Sequence, residues 1–285
     1  MKKVKEKLKQ LEFIKLFLIL WKHKKKWFIN NSRKLYYFSK ENNQKYLGML
    51  LIAKMVKTEF IFLKEKNESA AEYGYMLPNL GMTEEEIDKK HYKGTYTFEF
   101  MNAFTPNINM WLSFFKKRKL LNKNLKYLEI GSFEGRSSVF ILENLQKAQC
   151  FFVDPFEAYE ELKRTPGQSN FSKIYNNFLK NIKNFESRTN VYKGTSNSFF
   201  NQNQDKFDLI YVDGSHFGED VYLDAINSFN ALNNKGYIIF DDLFFFLFDT
   251  IYENPLGGIF KFLVEHKKQL KITYVSNQLI IQKKV

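Results

Sequence analysis

From Leu125 onward, short apolar runs alternate with stretches whose apolar residues recur at helical spacing, the pattern of strand and helix units laid into a parallel sheet. Tyr127–Ile130 reads as the first strand, Cys150–Val153 as the second, Val191–Lys193 as the third, Leu209–Val212 as the fourth and Tyr237–Phe240 as the fifth, with helices in the intervals. The end of the chain breaks this rhythm. Lys271–Val275 and Gln278–Gln282 are separated only by Ser276 and Asn277, a turn too short for a helical crossover, so the pair must form an antiparallel hairpin. An α/β fold follows, with a mostly parallel sheet and an antiparallel last strand.

Upstream of this region the pattern is different. Leu11, Ile14, Phe17, Leu18 and Trp21 fall on one helical face, and Tyr46–Leu63 is a second apolar run, interrupted by Lys54, Lys57 and Glu59. Neither reaches the roughly 20 apolar residues of a membrane span. The Lys-rich start ahead of Leu11 imitates a secretion signal, but Glu12 and Lys15 break the apolar run and no small-residue cleavage site follows, so none is expected. Thr83 followed by Glu84, Glu85 and Glu86 reads as the capped start of a short helix. A boundary near residue 95 divides a basic, largely helical segment, residues 1–95, from the α/β domain, residues 96–285.

Charge sharpens that division. The chain carries 44 Lys and Arg against 31 Asp and Glu, yet residues 1–66 hold 18 against 5, and the remainder is balanced. The basic segment is open to three readings: a helix packed on the following domain with a solvated Lys face, peripheral attachment of residues 1–66 to an anionic membrane, or contact with nucleic acid. The neutrality of the remainder argues against the last. With 44% hydrophobic and 18% aromatic residues, the chain buries a full core and is neither disordered nor fibrous. The lone Cys150 excludes an intramolecular disulfide, and no Cys/His spacing makes a zinc site, so a reducing compartment, the cytoplasm, is the expected location.

The candidate chemistry sits at the carboxyl ends of the strands. Tyr127-Leu-Glu-Ile-Gly-Ser-Phe-Glu-Gly-Arg-Ser-Ser138 is a strand entering a turn with glycines at 131 and 135, followed by a helix, and such a turn lets backbone approach a ligand. Its spacing is neither the dinucleotide fingerprint nor a P-loop, which argues against hydride and phosphate chemistry. Asp154 closes the second strand 19 residues beyond Gly135, where an acid accepts ribose hydroxyls. After the third strand, Ser196 either meets an adenine edge or merely caps a helix. Asp213 ends the fourth strand and Asp241 and Asp242 the fifth, so three acids converge and call for a divalent cation such as Mg²⁺, unless they cap the next helices. His216, three residues beyond Asp213, is within reach as a base.

At these residues the chain resembles the class I S-adenosylmethionine-dependent methyltransferases, more narrowly methyltransferase family 24, whose members carry a similar LEIGSFEGRS turn and IDGSH and IFDD strand ends. The similarity covers roughly residues 96–285, including Phe104–Trp111 ahead of the first strand. It implies a Rossmann-like, seven-stranded sheet. Carried over, it places Glu129, Gly131 and Gly135 around the methionine part of S-adenosyl-L-methionine, with Ser132, Ser137 and Asp213 in the cofactor-binding set. Asp154 falls on the ribose and Ser196 on the adenine. By similarity to catechol-type enzymes, Asp213, Asp241 and Asp242 match the metal ligands, although the third is usually Asn there. Just before the fifth strand the family has Leu-Lys-Pro-Gly-Gly where this chain has Asn233–Tyr237, keeping only Gly236.

The implied activity is metal-assisted O-methylation of a small hydroxylated acceptor, a sugar or a polyphenol, with Asp213 and His216 as catalytic residues. The acceptor pocket is expected from Phe156–Asn170 and Leu243–Pro255, with Phe244, Phe245, Phe246 and Phe248 as an aromatic lid, at least two of those rings going into the core. The competing reading is a membrane-surface or nucleic-acid-binding protein whose cofactor domain is only structural, with an RNA methyltransferase between the two. The oligomeric state is not legible in the sequence.

Overall fold

A computed structural model describes residues 26–65, 89, 92–100, 103–157 and 173–285. The expectations placed on Leu11–Trp21, on Thr83–Glu86 and on most of Phe156–Asn170 lie outside the described residues. The chain divides into two compact units, Met1–Ile87 with Tyr274–Ser276, and Asp88–Thr273 with Asn277–Val285.

In the first unit, residues 26–41 (α1) and Lys45–Glu65 (α2) are helical. The turn between them carries Asn43 at φ 54°, a left-handed conformation that asparagine tolerates better than most residues. Leu35, Phe38, Leu47, Leu51 and Met55 are buried. No helix among the described residues is long and apolar enough to cross a membrane.

The second unit is the α/β domain. Its elements are α3 (Ile108–Arg118), β1 (Leu125–Ile130), α4 (Arg136–Asn144), β2 (Ala148–Asp154), α5 (Ile174–Ile182), β3 (Thr189–Lys193), α6 (Ser196–Gln202), β4 (Phe207–Val212), α7 (Gly218–Ala231), β5 (Leu232–Phe240), α8 (Pro255–His266), β6 (Leu270–Val275) and β7 (Leu279–Lys283). The strands form one sheet in the order β3-β2-β1-β4-β5-β7-β6. The first five pair in parallel, and β7 runs antiparallel to β5, with Phe240 opposite Leu279. The seven-stranded, Rossmann-like expectation therefore holds. The central strands read as nearly continuous apolar runs because helices cover both faces. Since β1 lies between β2 and β4, the strand order reverses there and opens a crevice at the carboxyl ends.

One boundary is corrected. Asn233–Gly236, expected as the turn before the fifth strand, lies inside β5, where the register with β4 slips between Phe207 and Leu209 and Lys235 takes φ 65°. Polar residues occupy a strand there because the slip relieves them of regular pairing.

Aromatic rings dominate the core on the crevice side. Trp111 of α3 stands edge-on to Tyr211 of β4 at 4.7 Å and to Phe104 at 5.1 Å, and Phe104 packs on Phe140 of α4 at 5.4 Å. Residues 92–100, which have no regular structure, are tied down by two buried carboxylates. Glu143 accepts from the N–H groups of Lys93 and Gly94 and from the Tyr96 hydroxyl, and Glu134 accepts from the N–H groups of Glu99 and Phe100 and from Asn177. Asn181 adds a reciprocal pair with the backbone of Thr97.

Candidate functional site

The carboxyl end of β1 is built by two glycines with different duties. Gly131 has φ 88°, and a Cβ there would collide with the carbonyl of Asp213, so only glycine lets the backbones leaving β1 and β4 lie side by side. Gly135, at φ 84°, is the N-cap of α4. The ladder runs one residue past the strands: Gly131 N–H donates to Val153 O at 2.9 Å, Asp213 N–H to Ile130 O at 2.9 Å and Asp241 N–H to Val212 O at 3.0 Å. These bonds fix where each functional side chain leaves the sheet.

Among the described residues, three other than glycine adopt positive φ on this edge, Phe133 after β1 (47°), Phe156 after β2 (54°) and Asp242 after β5 (53°). Backbone strain of this kind concentrates at functional sites.

A cavity of about 320 Å³ opens here, lined by Gly131, Gly194, Ser196, Gly214, Asp220 and Asp224 among others. Of the residues expected to bind cofactor, Gly131 and Ser196 are in its wall. Ser196 is the first residue of α6, and the cap is Thr195, whose hydroxyl accepts from Ser198 N–H. The capping alternative for Ser196 is thus overturned. The capping alternative for Asp213 falls too, because α7 starts at Gly218 without a side-chain cap.

The remaining expected residues do not line the cavity. Glu129 is wholly buried and accepts from Tyr127 (2.8 Å), Ser137 (2.6 Å) and Ser138 (2.9 Å), so Ser137 also spends its proton inside the fold. Burial pushes the Glu129 carboxyl up to about 7 against the pull of those three donors. Asp154 accepts from the N–H groups of Phe133 (2.9 Å) and Phe156 (2.5 Å), bracing the two strained turns, and it is 1% exposed. Ser132 is buried, and its hydroxyl meets no hydrogen-bond partner among the described residues.

Next to the cavity, the acids sort into two groups rather than one. Asp213, His216 and Asp242 bring ligand atoms within 4.8 Å of one another, and His216 Nε2 lies 2.9 Å from Asp242 Oδ2. Asp241, expected as a third ligand, is not in this cluster. Its Oδ2 accepts from the Tyr211 hydroxyl and from Gln278 Nε2 (2.7 Å), and its Oδ1 accepts from Asp242 N–H (2.8 Å). Gln278 in turn accepts from Trp111 Nε1 at 2.8 Å. The Tyr211 hydroxyl also lies 2.8 Å from Asp213, so one phenolic proton faces two carboxylates. Burial, and then the charges of Asp241 and Asp242, push the Asp213 carboxyl well above the usual carboxylate range; burial and Asp242 raise Asp241 to about 7. A site with this much crowded negative charge is stabilised by a proton or a cation.

Aromatic rings surround the cluster. Phe245 lies 4.9 Å from the His216 ring, and Phe217 stacks on Phe248 at 4.4 Å. The buried Asn254 holds this loop, accepting from the N–H groups of Leu247 and Phe248 and donating to Phe248 O. Of the four phenylalanines expected as a lid, Phe244 is buried, Phe246 and Phe248 are half-buried and Phe245 is exposed.

Asp224, Asp220 and Tyr211 escaped sequence reading. The acids at 220 and 224 did carry a signal, since i and i+4 place them on one face of the helix leaving the crevice.

Residues 128–243 match the model of methyltransferase family 24, described as a methyltransferase domain. The protein R132 of Acanthamoeba polyphaga mimivirus is 28% identical over 126 residues, which cover 42% of this chain and 52% of the relative, so the chain spans about half the length of the curated relative it matches. Among solved structures, the O-methyltransferase TomG of Streptomyces achromogenes, in complex with SAM, is similar with a TM-score of 0.49 at 11% identity, covering 74% of this chain and 95% of that one. The SAH-bound methyltransferase PaMTH1 of Podospora anserina has a TM-score of 0.46 at 18% identity, covering 65% and 80%.

Proposed function

We propose, from the premise that residues 128–243 belong to methyltransferase family 24 and form an S-adenosylmethionine-dependent methyltransferase domain, that the chain methylates a hydroxyl oxygen of a small hydroxylated acceptor, a sugar or a polyphenol. One observation carries this reading. The glycine-walled cavity and the Asp213–His216–Asp242 cluster share a single loop, residues 213–216, so a group held in the cavity lies beside groups able to take a proton.

The cavity suits the cofactor on its own terms: Gly131 and Gly214 present bare backbone in its wall, and Ser196 offers a polar edge. Bound there, S-adenosylmethionine supplies a methyl group on a sulfonium that departs as a neutral thioether. Asp213, Asp242 and His216 would hold a divalent cation, whose charge would favour the ionised acceptor, and the mixed carboxylate and imidazole donor set suits Mn²⁺ or Fe²⁺ as well as Mg²⁺. Asp154 enters through the two turns it braces.

What remains for the chain is to align the acceptor and take its proton. His216, oriented by Asp242 at 2.9 Å, is placed to accept it, and Phe217, Phe245 and Phe248 offer flat apolar faces to a sugar ring or an aromatic ring. A cation on the cluster would instead take the His216 nitrogen as a ligand and, by its charge, favour the ionised form of the acceptor. Chelation separates the two routes.

The test uses the full chain, methyl-labelled cofactor and panels of catechols and polyols. Asp213→Asn and His216→Ala are each expected to lower turnover by about 10²-fold or more while S-adenosylhomocysteine still binds. Failure of the wild-type chain to bind S-adenosylhomocysteine, or unchanged turnover in both variants, would overturn the proposal.

A further inference from the structure

We infer that Tyr211 is a positioning residue: its buried hydroxyl holds the Asp213 carboxylate in the orientation from which it shares a divalent cation with His216 and Asp242. The inference rests on reading those three residues as a cation site.

Side chains two apart along a strand lie on the same face, and the ladder continues past β4 through Asp213 N–H, so Tyr211 and Asp213 project together. The Tyr211 hydroxyl lies 2.8 Å from Asp213 Oδ2. Packing alone does not call for that oxygen. The ring is wholly buried, edge-on to Trp111 at 4.7 Å and to Phe104 at 6.5 Å, in surroundings that a phenylalanine would fill as well. A hydroxyl in such a place costs stability unless it is hydrogen-bonded, and its partners here are the two carboxylates of Asp213 and Asp241.

One phenolic proton faces both acids, and they do not depend on it equally. Asp241 also accepts from Gln278 Nε2 (2.7 Å), Asp242 N–H (2.8 Å) and Asn107 Nδ2 (3.5 Å). The hydrogen bond that the Asp213 side chain makes among the described residues is the one from Tyr211. Since Trp111 Nε1 is itself tied to Gln278, the ring against it is held from behind, and the Tyr211 oxygen is a fixed point. The two oxygens of a carboxylate are rigidly linked, so holding one sets the direction of the other. Asp213 is thereby turned from a fixed point within a cluster whose ligand atoms lie within 4.8 Å of one another. Groups that orient a metal ligand in this way are worth about 10–100-fold in metal affinity.

The experiment is calorimetric titration of the full chain with Mn²⁺ alone, with S-adenosylhomocysteine binding measured in parallel on the same preparations. Tyr211→Phe keeps the ring and removes only the oxygen. It is expected to weaken Mn²⁺ binding by about tenfold or more while leaving the affinity for S-adenosylhomocysteine unchanged. Asp213→Ala should abolish the same Mn²⁺ site, which assigns the bound ion to the cluster. Tyr211→Phe that binds Mn²⁺ as tightly as wild type overturns the inference. So does an equal loss of both affinities in Tyr211→Phe, the result of a general disturbance of the fold, and so does Mn²⁺ binding that survives in Asp213→Ala. A wild-type chain that binds S-adenosylhomocysteine but no Mn²⁺ overturns the cation reading and this inference with it, and leaves methyl transfer with His216 as the base. Binding of neither overturns the methyltransferase reading as well.

Discussion

Glu129 sits where the chain leaves β1 and has no cation beside it; three hydroxyls hold it, and burial still raises its carboxyl from 4.5 to about 7. Below the unfolded value both states are protonated and the residue adds no pH dependence. Between that value and the folded one, the native state keeps a proton that the unfolded chain has released, so stability declines as pH rises through this window and levels off above it. The shift corresponds to a loss on the order of 3 kcal/mol. Glu129→Gln, which cannot ionise, should therefore flatten the stability curve between pH 5 and 8 in denaturant titrations; curves that stay parallel to wild type would count against it. The glycines make a second contrast. Gly135→Ala forces a left-handed backbone on alanine beside Phe178 and should cost about 1–2 kcal/mol. Gly131→Ala adds to the same backbone cost a collision with the Asp213 carbonyl, two rigid main chains with nowhere to yield, and should cost several times more and remove S-adenosylhomocysteine binding in the same titrations.

At the level of elements, the antiparallel β7 does something a sixth parallel crossover would not. Its register sets Leu279 opposite Phe240, so the residue just before it, Gln278, arrives beside Asp241 just after β5. Gln278→Ala should leave both Trp111 Nε1 and Asp241 short of a partner, at about 2–3 kcal/mol of stability. Because it frees Asp241 to swing toward the Asp213 cluster, kcat should fall with S-adenosylhomocysteine affinity unchanged; an equal loss in both would make Gln278 a purely structural residue. The same pair marks the limit of what the sequence discloses. Apolar runs announced the strands, and a two-residue spacer announced the hairpin, because both are local. The sorting of three acids into a pair with His216 and a separate Asp241 depends on Gln278, 37 residues from Asp241, and on Trp111, 167 residues from Gln278. Spacing brings residues to a sheet edge, but which oxygen is already taken is decided by distant donors.

Across the whole molecule, charge is distributed more unevenly than structure. Residues 1–66 hold 18 basic and 5 acidic residues, and the rest of the chain is balanced. Within the first unit, Arg33, Lys40 and Lys45 are exposed, and so are the apolar or aromatic side chains of Tyr37, Tyr46 and Met49. Basic residues near an anionic bilayer contribute about 1 kcal/mol each, and rings at the headgroup level add to that. A nucleic-acid partner would share the salt dependence but would gain nothing from a bilayer. The full chain is therefore expected to float with vesicles containing about one-third phosphatidylserine at low salt and to be released as salt shortens the range of the attraction. Neutral phosphatidylcholine vesicles should retain little of it. Reversing three charges with Arg33→Glu, Lys40→Glu and Lys45→Glu should reduce flotation severalfold while leaving methyl transfer to a soluble acceptor unchanged, because none of the three belongs to the unit that holds the cavity. Equal binding to neutral vesicles would replace the electrostatic account with an apolar one. Binding to RNA but to no vesicle would reassign the basic segment to nucleic acid.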